Sequence, residues 1–163
     1  MISTIAKIIM FPFSVLYGVI IIIKNISYDL GIFKSKNFNV KIISIGNLIM
    51  GGSGKTPLVE YIVKLLLKKK LSTSIISRGY KRKTKGLINI SKTENFKTVG
   101  DEPMQFFKKF KGKIDIIVSE DRKKAIRVSE KKNIEYVVLD DGYQQRSINK
   151  DCNILISSIE RPF

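Results

Sequence analysis

The sequence predicts an α/β fold, a mostly parallel sheet flanked by helices and preceded by a separate apolar helix. From position 38 onward, short β-branched runs alternate with amphipathic segments of about ten to fifteen residues, a pattern typical of βαβ units. A glycine-rich turn joins the first such run to the first amphipathic segment. Residues 1–37 differ in composition because an uncharged apolar run dominates them. We therefore expect two parts, 1–37 and 38–163.

The N-terminal part predicts a helix that lies in a membrane interface. Residues 8–23 carry no charge, and a helix of that length would span about 24 Å, less than the roughly 30 Å hydrocarbon core of a bilayer. Pro12 is expected in the first turn of this helix. Cations that would face anionic headgroups follow at Lys24, Lys34, Lys36 and Lys41. The alternatives are a spanning helix, a buried core helix and a cleaved signal peptide, the last disfavoured because no small-residue cleavage site follows.

Residue type and spacing predict the remaining elements. Short β-branched runs bounded by turn residues predict strands at 40–45, 73–77, 87–90, 114–118, 136–139 and 153–157. Apolar residues at helical spacing, or a capping residue before a polar segment, predict helices at 56–70, 101–110 and 121–131. A basic loop at 78–85 follows the second strand. At the junction 120–121, Glu120 and Asp121 are interpreted as helix caps.

Composition limits the chemistry. The chain has no histidine and one cysteine, Cys152, which excludes Ser–His and Cys–His catalytic pairs, an intrachain disulfide and cysteine-based zinc clusters. Acid–base chemistry would fall to Asp, Glu, Lys or Tyr. The 30 basic and 14 acidic residues give a formal charge of +16. Most of these lysines are interpreted as a solvated surface. If the charge serves an anionic partner, a membrane surface is favoured over nucleic acid, because no nucleic-acid-binding motif accompanies the charge.

The glycine-rich turn predicts a phosphate-binding loop. Gly51-Gly52-Ser53-Gly54-Lys55-Thr56 follows a strand and opens a helix, so that backbone N–H groups and a helix N-terminus would face phosphate oxygens. Ile49 and Met50 belong to the same predicted nucleotide-binding segment, although Ile49 stands where the usual motif has its first glycine. Lys55 is expected to reach the β- and γ-phosphates of ATP, and the Thr56 hydroxyl to bind Mg²⁺. A glycine-rich turn that merely caps a helix is the alternative.

Carboxylates complete the predicted site of a P-loop NTPase-like fold. Asp140 and Asp141 end an apolar strand, at the edge where open α/β sheets bind ligands, and are predicted to hold Mg²⁺; an ordinary Asp-Gly turn is the alternative. Asp101 is interpreted either as a base for an acceptor hydroxyl or as a helix N-cap. Arg78 and Glu102 are candidate substrate contacts, and Arg78 could equally be one more surface cation.

Together these motifs resemble those of the tetraacyldisaccharide 4′-kinases, the lipid A 4′-kinase family of Gram-negative bacteria. The residues that carry the resemblance stand in family order over nearly the whole chain: Ser44-Ile45-Gly46-Asn47-Leu48, Gly51-Gly52-Ser53-Gly54-Lys55-Thr56-Pro57, Ser77-Arg78-Gly79-Tyr80, Val99-Gly100-Asp101-Glu102-Pro103, Asp121-Arg122, Leu139-Asp140-Asp141-Gly142-Tyr143-Gln144, Asp151 and Arg161-Pro162-Phe163.

The resemblance implies a reaction. Such enzymes transfer the γ-phosphate of ATP, with Mg²⁺, to the 4′-hydroxyl of a tetraacyldisaccharide 1-phosphate at the cytoplasmic face of the inner membrane, and the product is lipid IVA. It implies that Lys55 and Thr56 are phosphate-loop residues and that Asp140 and Asp141 are the acidic pair. It also implies that Asp101 is the catalytic aspartate, working with a histidine from a C-terminal half.

The sequence departs from the family pattern in three places. Gln145 stands where the family usually has a histidine, Lys81 replaces a glycine, and the family motif continues with Gly-Asn-Gly after Arg161-Pro162-Phe163. Family members are longer, so the chain is expected to be their N-terminal half, as a sequence fragment or as a truncated gene. The alternative functions are a membrane-associated P-loop NTPase of switch type and a non-catalytic remnant that only binds nucleotide.

Overall fold

A computed structural model of the chain describes residues 4–47 and 54–157. The chain divides into two compact units, Met1–Lys36 and Asn37–Phe163. The first unit is built on one helix. The second contains the sheet and every element that carries a predicted site residue.

The N-terminal helix, α1, comprises Thr4–Asp29. Its 26 residues give a length of about 39 Å, because the helix continues past Lys24 instead of ending with the uncharged run. Pro12 lies inside it, so the expectation of a first-turn proline was wrong; the ring is compatible with a helical φ, although it removes the N–H that would bond to the preceding turn and crowds the carbonyl there. In the described part of the chain, α1 is the one helix long and apolar enough to cross a membrane, by length and composition.

The second unit is an α/β sandwich, which confirms the predicted fold class. Its elements in chain order are β1 (Lys41–Asn47), α2 (Lys55–Lys68), β2 (Thr73–Ser77), β3 (Ile88–Asn89), α3 (Phe96–Val99), α4 (Asp101–Phe110), β4 (Asp115–Val118), α5 (Arg122–Lys131), β5 (Tyr136–Asp140) and β6 (Cys152–Ile156). These agree with the predicted strands and helices to within two residues at each end. The short helix α3 was not predicted; Asn95 and Thr98 form a capping box at its start.

The six strands form one sheet in the order β3-β4-β2-β5-β1-β6. All neighbouring pairs are parallel except β3 with β4, which is antiparallel. Alternate residues of each strand face opposite sides of a sheet. Ile75 thus belongs to the core that includes residues of α2 and α4, while its neighbour Ile76 belongs to the core that includes residues of α5. Helices on both faces leave the strands buried, as parallel sheets require.

The strand order determines where functional side chains meet. Strand β5 pairs with β1 on one side and with β2 on the other, all three running in the same direction. Their carboxyl ends therefore lie at one edge of the sheet. This edge carries Asn47 at the end of β1, Ser77 at the end of β2 and Asp140 at the end of β5.

Candidate active site

Asp140 is a buried carboxylate at the centre of this edge. It is 4% exposed and accepts a hydrogen bond of 3.0 Å from the Ser77 hydroxyl. Burial raises the pKa of Asp140 to about 6; the charges of Glu102 and Asp141 add to the increase, while Ser77 and Lys55 oppose it. Burial and the two neighbouring acidic side chains therefore disfavour the charged form of Asp140.

A tight turn after β5 directs Asp141 towards the start of α2. Asp141 has a φ of +54°, and Gly142 N donates to the Ile45 carbonyl over 3.1 Å. A Cβ at Gly142 would lie 2.7 Å from Leu139 Cβ and 2.8 Å from Ser44 Oγ, so only glycine fits. The Asp-Gly turn that was considered as the alternative is thus present. It contains the second residue of the acidic pair, Asp141, so the two interpretations do not exclude each other.

Lys55 joins the two strand ends through its ammonium group. Its Nζ donates to Asn47 Oδ1 over 2.9 Å and to Asp141 Oδ1 over 3.1 Å. The lysine is the first residue of α2, after Gly54, which caps the helix in a left-handed conformation with a φ of +76°. The other predicted loop residues, Ile49, Met50, Gly51, Gly52 and Ser53, lie outside the described residues.

The start of α4 lies beside the start of α2. The Thr56 hydroxyl lies 3.4 Å from Glu102 Oε1, and Glu102 also acts electrostatically on Asp140. Glu102 therefore stands next to two of the predicted magnesium ligands.

Asp101 is the first residue of α4 and not its N-cap. The cap is Gly100, with a φ of +95° and no side-chain cap hydrogen bond, so the capping interpretation of Asp101 was wrong. Its side chain is exposed and lines an open groove of about 510 Å³ with Phe96, Met104, Gln105, Lys108 and Lys109. A carboxylate at the mouth of a groove is free to meet a second molecule.

Arg122 belongs to this site, although the sequence analysis named it only within the Asp121-Arg122 motif of the resemblance and assigned it no role. It is 7% exposed, and its Nη2 donates to the backbone carbonyls of Asp140, over 3.1 Å, and Asp141, over 2.9 Å. Burial lowers the pKa of its guanidinium, Asp141 and Asp140 oppose that change, and nearby Arg78 adds to it. Arg78 itself is exposed. The neighbouring Asp121 caps α5 through its carboxylate, as predicted.

The family model described as tetraacyldisaccharide-1-P 4′-kinase, LpxK, matches residues 6–163. This chain belongs to the LpxK family. The tetraacyldisaccharide 4′-kinase of Flavobacterium psychrophilum is 42% identical over 151 residues, which cover 91% of this chain and 43% of that protein. The kinase of Cytophaga hutchinsonii is 38% identical over 159 residues, 96% of this chain and 45% of that protein.

A solved LpxK structure shares the fold. The crystal structure of an "apo" form of LpxK from Aquifex aeolicus in complex with ATP is 41% identical, with a TM-score of 0.79, and covers 91% of this chain and 48% of its own. The chain thus spans about half the length of the LpxK proteins that it matches. The predicted resemblance to this family and the P-loop kinase fold are confirmed.

Proposed function

We propose that this chain is the nucleotide-binding part of a tetraacyldisaccharide 4′-kinase, with residues 38–163 binding Mg·ATP and residues 1–37 associating with a membrane. The proposed reaction transfers the γ-phosphate of ATP to the 4′-hydroxyl of tetraacyldisaccharide 1-phosphate and gives lipid IVA, a step of lipid A biosynthesis. The observation that carries the proposal is Lys55 at the start of α2, bonded to Asp141 beside the buried Asp140, in a chain of the LpxK family.

Lys55 is proposed to hold the β- and γ-phosphates. Its ammonium lies between Asn47 and Asp141, and the first turn of α2 contains no acidic residue that would repel an anion. The backbone of residues 49–54 would supply the remaining phosphate contacts. The helix N-terminus and the lysine together favour a polyphosphate.

Mg²⁺ suits the oxygen atoms that the edge provides. Thr56, Asp140 and Asp141 would hold it; hydroxyl and carboxylate oxygens are hard ligands, and Mg²⁺ in phosphate sites commonly takes one or two carboxylates plus phosphate oxygens. Within the described residues there is no group of three or more acidic, Cys or His side chains that could hold a metal ion. Burial is the largest cause of the raised pKa of Asp140, and the negative charges of Glu102 and Asp141 that add to it would favour a cation beside this carboxylate. When bound, the metal neutralises charge on the transferring phosphoryl group.

Asp101 is proposed as the base. Its carboxylate would take the proton of the 4′-hydroxyl as that oxygen bonds to the γ-phosphorus, while the bond to the β–γ bridging oxygen breaks and ADP leaves. Arg78 and Glu102 are proposed to contact the bound substrates. The chain has no histidine, so a second proton-transfer group would come from the C-terminal half of longer relatives.

Helix α1 is proposed to bring the enzyme to its lipid. Its apolar side chains are exposed, Phe11 at 68% and Phe13 at 69%, and lysines follow the apolar run. We propose an interfacial helix at the cytoplasmic face of the inner membrane. A spanning helix is the alternative, since a helix of 26 residues, about 39 Å long, is also long enough to cross a bilayer core of about 30 Å.

The test measures binding and transfer separately. Isothermal titration of the chain with Mg·ATP should show binding, and labelled ATP should show whether phosphate reaches tetraacyldisaccharide 1-phosphate or water. Rapid ATP hydrolysis that the lipid does not change would favour the switch-type NTPase. Absence of Mg·ATP binding would refute the proposal.

A further inference from the structure

Glu60 is a buried charge that the proposed reaction does not use. It lies on α2, five residues after Lys55, and is 6% exposed. A buried carboxylate is costly unless ionic and hydrogen-bonding partners compensate it. Both of its partners lie on α4: Lys109 Nζ donates to Oε2, and Gln105 Nε2 lies 3.4 Å from Oε1. The carboxylate therefore bridges two helices.

This bridge is the second polar contact between α2 and α4. The first is the pair Thr56–Glu102 at the starts of the helices. At 1.5 Å per residue, Glu60 lies about 6 Å along α2 from Thr56, and its partners lie about 4.5 and 10.5 Å along α4 from Glu102. Both contacts can form only if α2 and α4 run side by side in the same direction, with both N-termini at the carboxyl edge of the sheet.

Polar contacts can determine the register of packed helices in a way that apolar contacts do not. Apolar side chains of α4 such as Phe106 are buried, but burial is non-directional and tolerates a small slide along the helix axis. A buried polar group loses its partners when the helices slide, which is why such groups fix register in helical assemblies. Glu60 and its partners lie further along the two helices than the Thr56–Glu102 contact, so they add a second polar constraint on the level of α4.

We infer that Glu60 is a positioning residue, which sets the level of α4 along α2 and thereby places Glu102 beside Thr56 and fixes the position of Asp101 at the start of the same helix. This inference rests on the proposed function, because it assigns Glu60 a role in Mg·ATP binding and transfer. Gln105 and Lys109 also line the groove beside Asp101, so the same contact shapes the wall of that groove.

The test is a double-mutant cycle on the full chain, read by calorimetric titration with Mg·ATP. Glu60→Ala should weaken binding about tenfold, within the usual range for residues coupled through one network. The double variant Glu60→Ala/Glu102→Ala should bind no more weakly than Glu102→Ala alone, because both changes remove the same placement of Glu102. Glu60→Gln keeps an acceptor oxygen for Lys109 and should bind within about twofold of the wild type.

Two further variants separate positioning from stability. Glu60→Leu/Lys109→Met replaces the bridge with apolar side chains that are expected to fold well, and it should still weaken Mg·ATP binding as Glu60→Ala does. Val63→Ala removes buried apolar volume from the same helix, and its effect on binding should add to that of Glu102→Ala.

The outcomes are distinct. A wild-type chain that does not bind Mg·ATP overturns the proposed function and this inference with it. A wild type that binds, with effects of Glu60→Ala and Glu102→Ala that multiply, overturns the inference alone. Normal binding by the folded apolar pair Glu60→Leu/Lys109→Met also overturns it.

Discussion

Replacing Lys55 with alanine removes the ammonium that stands between Asn47 and Asp141. Its hydrogen bonds of 2.9 and 3.1 Å mark the position from which it would meet phosphate oxygens, and the side chain is only 21% exposed. Charge-assisted hydrogen bonds are each worth about 1.5–3 kcal/mol in such partly sheltered positions. One lost phosphate contact therefore predicts a loss of Mg·ATP affinity of about 10- to 150-fold.

The carboxylates that remain would increase this loss. Without Lys55, Asp141 has no ammonium beside it, and the balance at Asp140, whose pKa Lys55 helps to lower, moves further towards repulsion of an anion. Adding Mg²⁺ should recover part of the affinity, because the metal supplies positive charge at the same carboxylates.

Calorimetric titration of wild type and Lys55→Ala at fixed ionic strength measures the effect. Lys64→Ala is the matched control, since Lys64 is an exposed lysine of the same helix and its loss changes the net charge equally. The control should bind Mg·ATP as the wild type does. Equal affinities of Lys55→Ala and wild type would refute the phosphate-binding role of Lys55.

Three other predictions concern pH, the membrane and catalysis. The pKa of Asp140 is raised from 3.8 to about 6, so the native state holds a proton on Asp140 that the unfolded chain has already released, and the free energy of unfolding falls as pH rises from about 4 through 6. At about pH 7.5, Asp140→Asn should therefore be more stable than wild type by up to about 3 kcal/mol. Urea unfolding should show this difference shrinking at about pH 4, and Mg·ATP binding by the variant should be weaker than that of wild type at every pH. Deleting residues 1–36 should move the protein from the pellet to the supernatant when it is sedimented with anionic vesicles, and equal partitioning of both forms would contradict a membrane role for α1. The 163-residue chain should bind Mg·ATP but phosphorylate the disaccharide lipid poorly, because it has no histidine to act as the second proton-transfer group beside Asp101; loss of one acid–base group typically costs about 10²–10⁴ in rate, and lost positioning costs more. Robust single-turnover product formation that Asp101→Asn abolishes would show that this chain suffices.

Local signals were enough to predict the elements and the two motifs that define the edge. The turn before Lys55 and the apolar strand before Asp140 are each recognisable within about ten residues, because turn chemistry and strand burial leave short-range patterns. The chain order of strands and helices then predicted a parallel sheet with its ligands at the carboxyl edge. Helix α1 was predicted too short, since charge at Lys24 does not end a helix whose backbone bonds continue.

The roles of Arg122 and Glu60 depended on contacts that no local pattern encodes. In sequence they are two more charged residues in a chain that is 27% charged; in the structure they are buried, one against backbone carbonyls of β5 and the other against α4. Asp101 shows the reverse case, because its sequence fitted a helix cap and only the observed cap at Gly100 left it free.

What the sequence by itself determined is the glycine-rich turn, the acidic pair and the strands and helices of the second unit other than α3, because backbone preferences and turn chemistry act over neighbouring residues. Only the tertiary structure decided that β5 lies between β1 and β2 and that β3, the outermost strand, runs antiparallel to β4. It also decided that α2 and α4 meet through Thr56–Glu102 and Glu60–Lys109. Strand order, burial and electrostatic coupling arise from packing between residues far apart in the chain, and side chains acquire those properties only when the sheet and its helices have assembled.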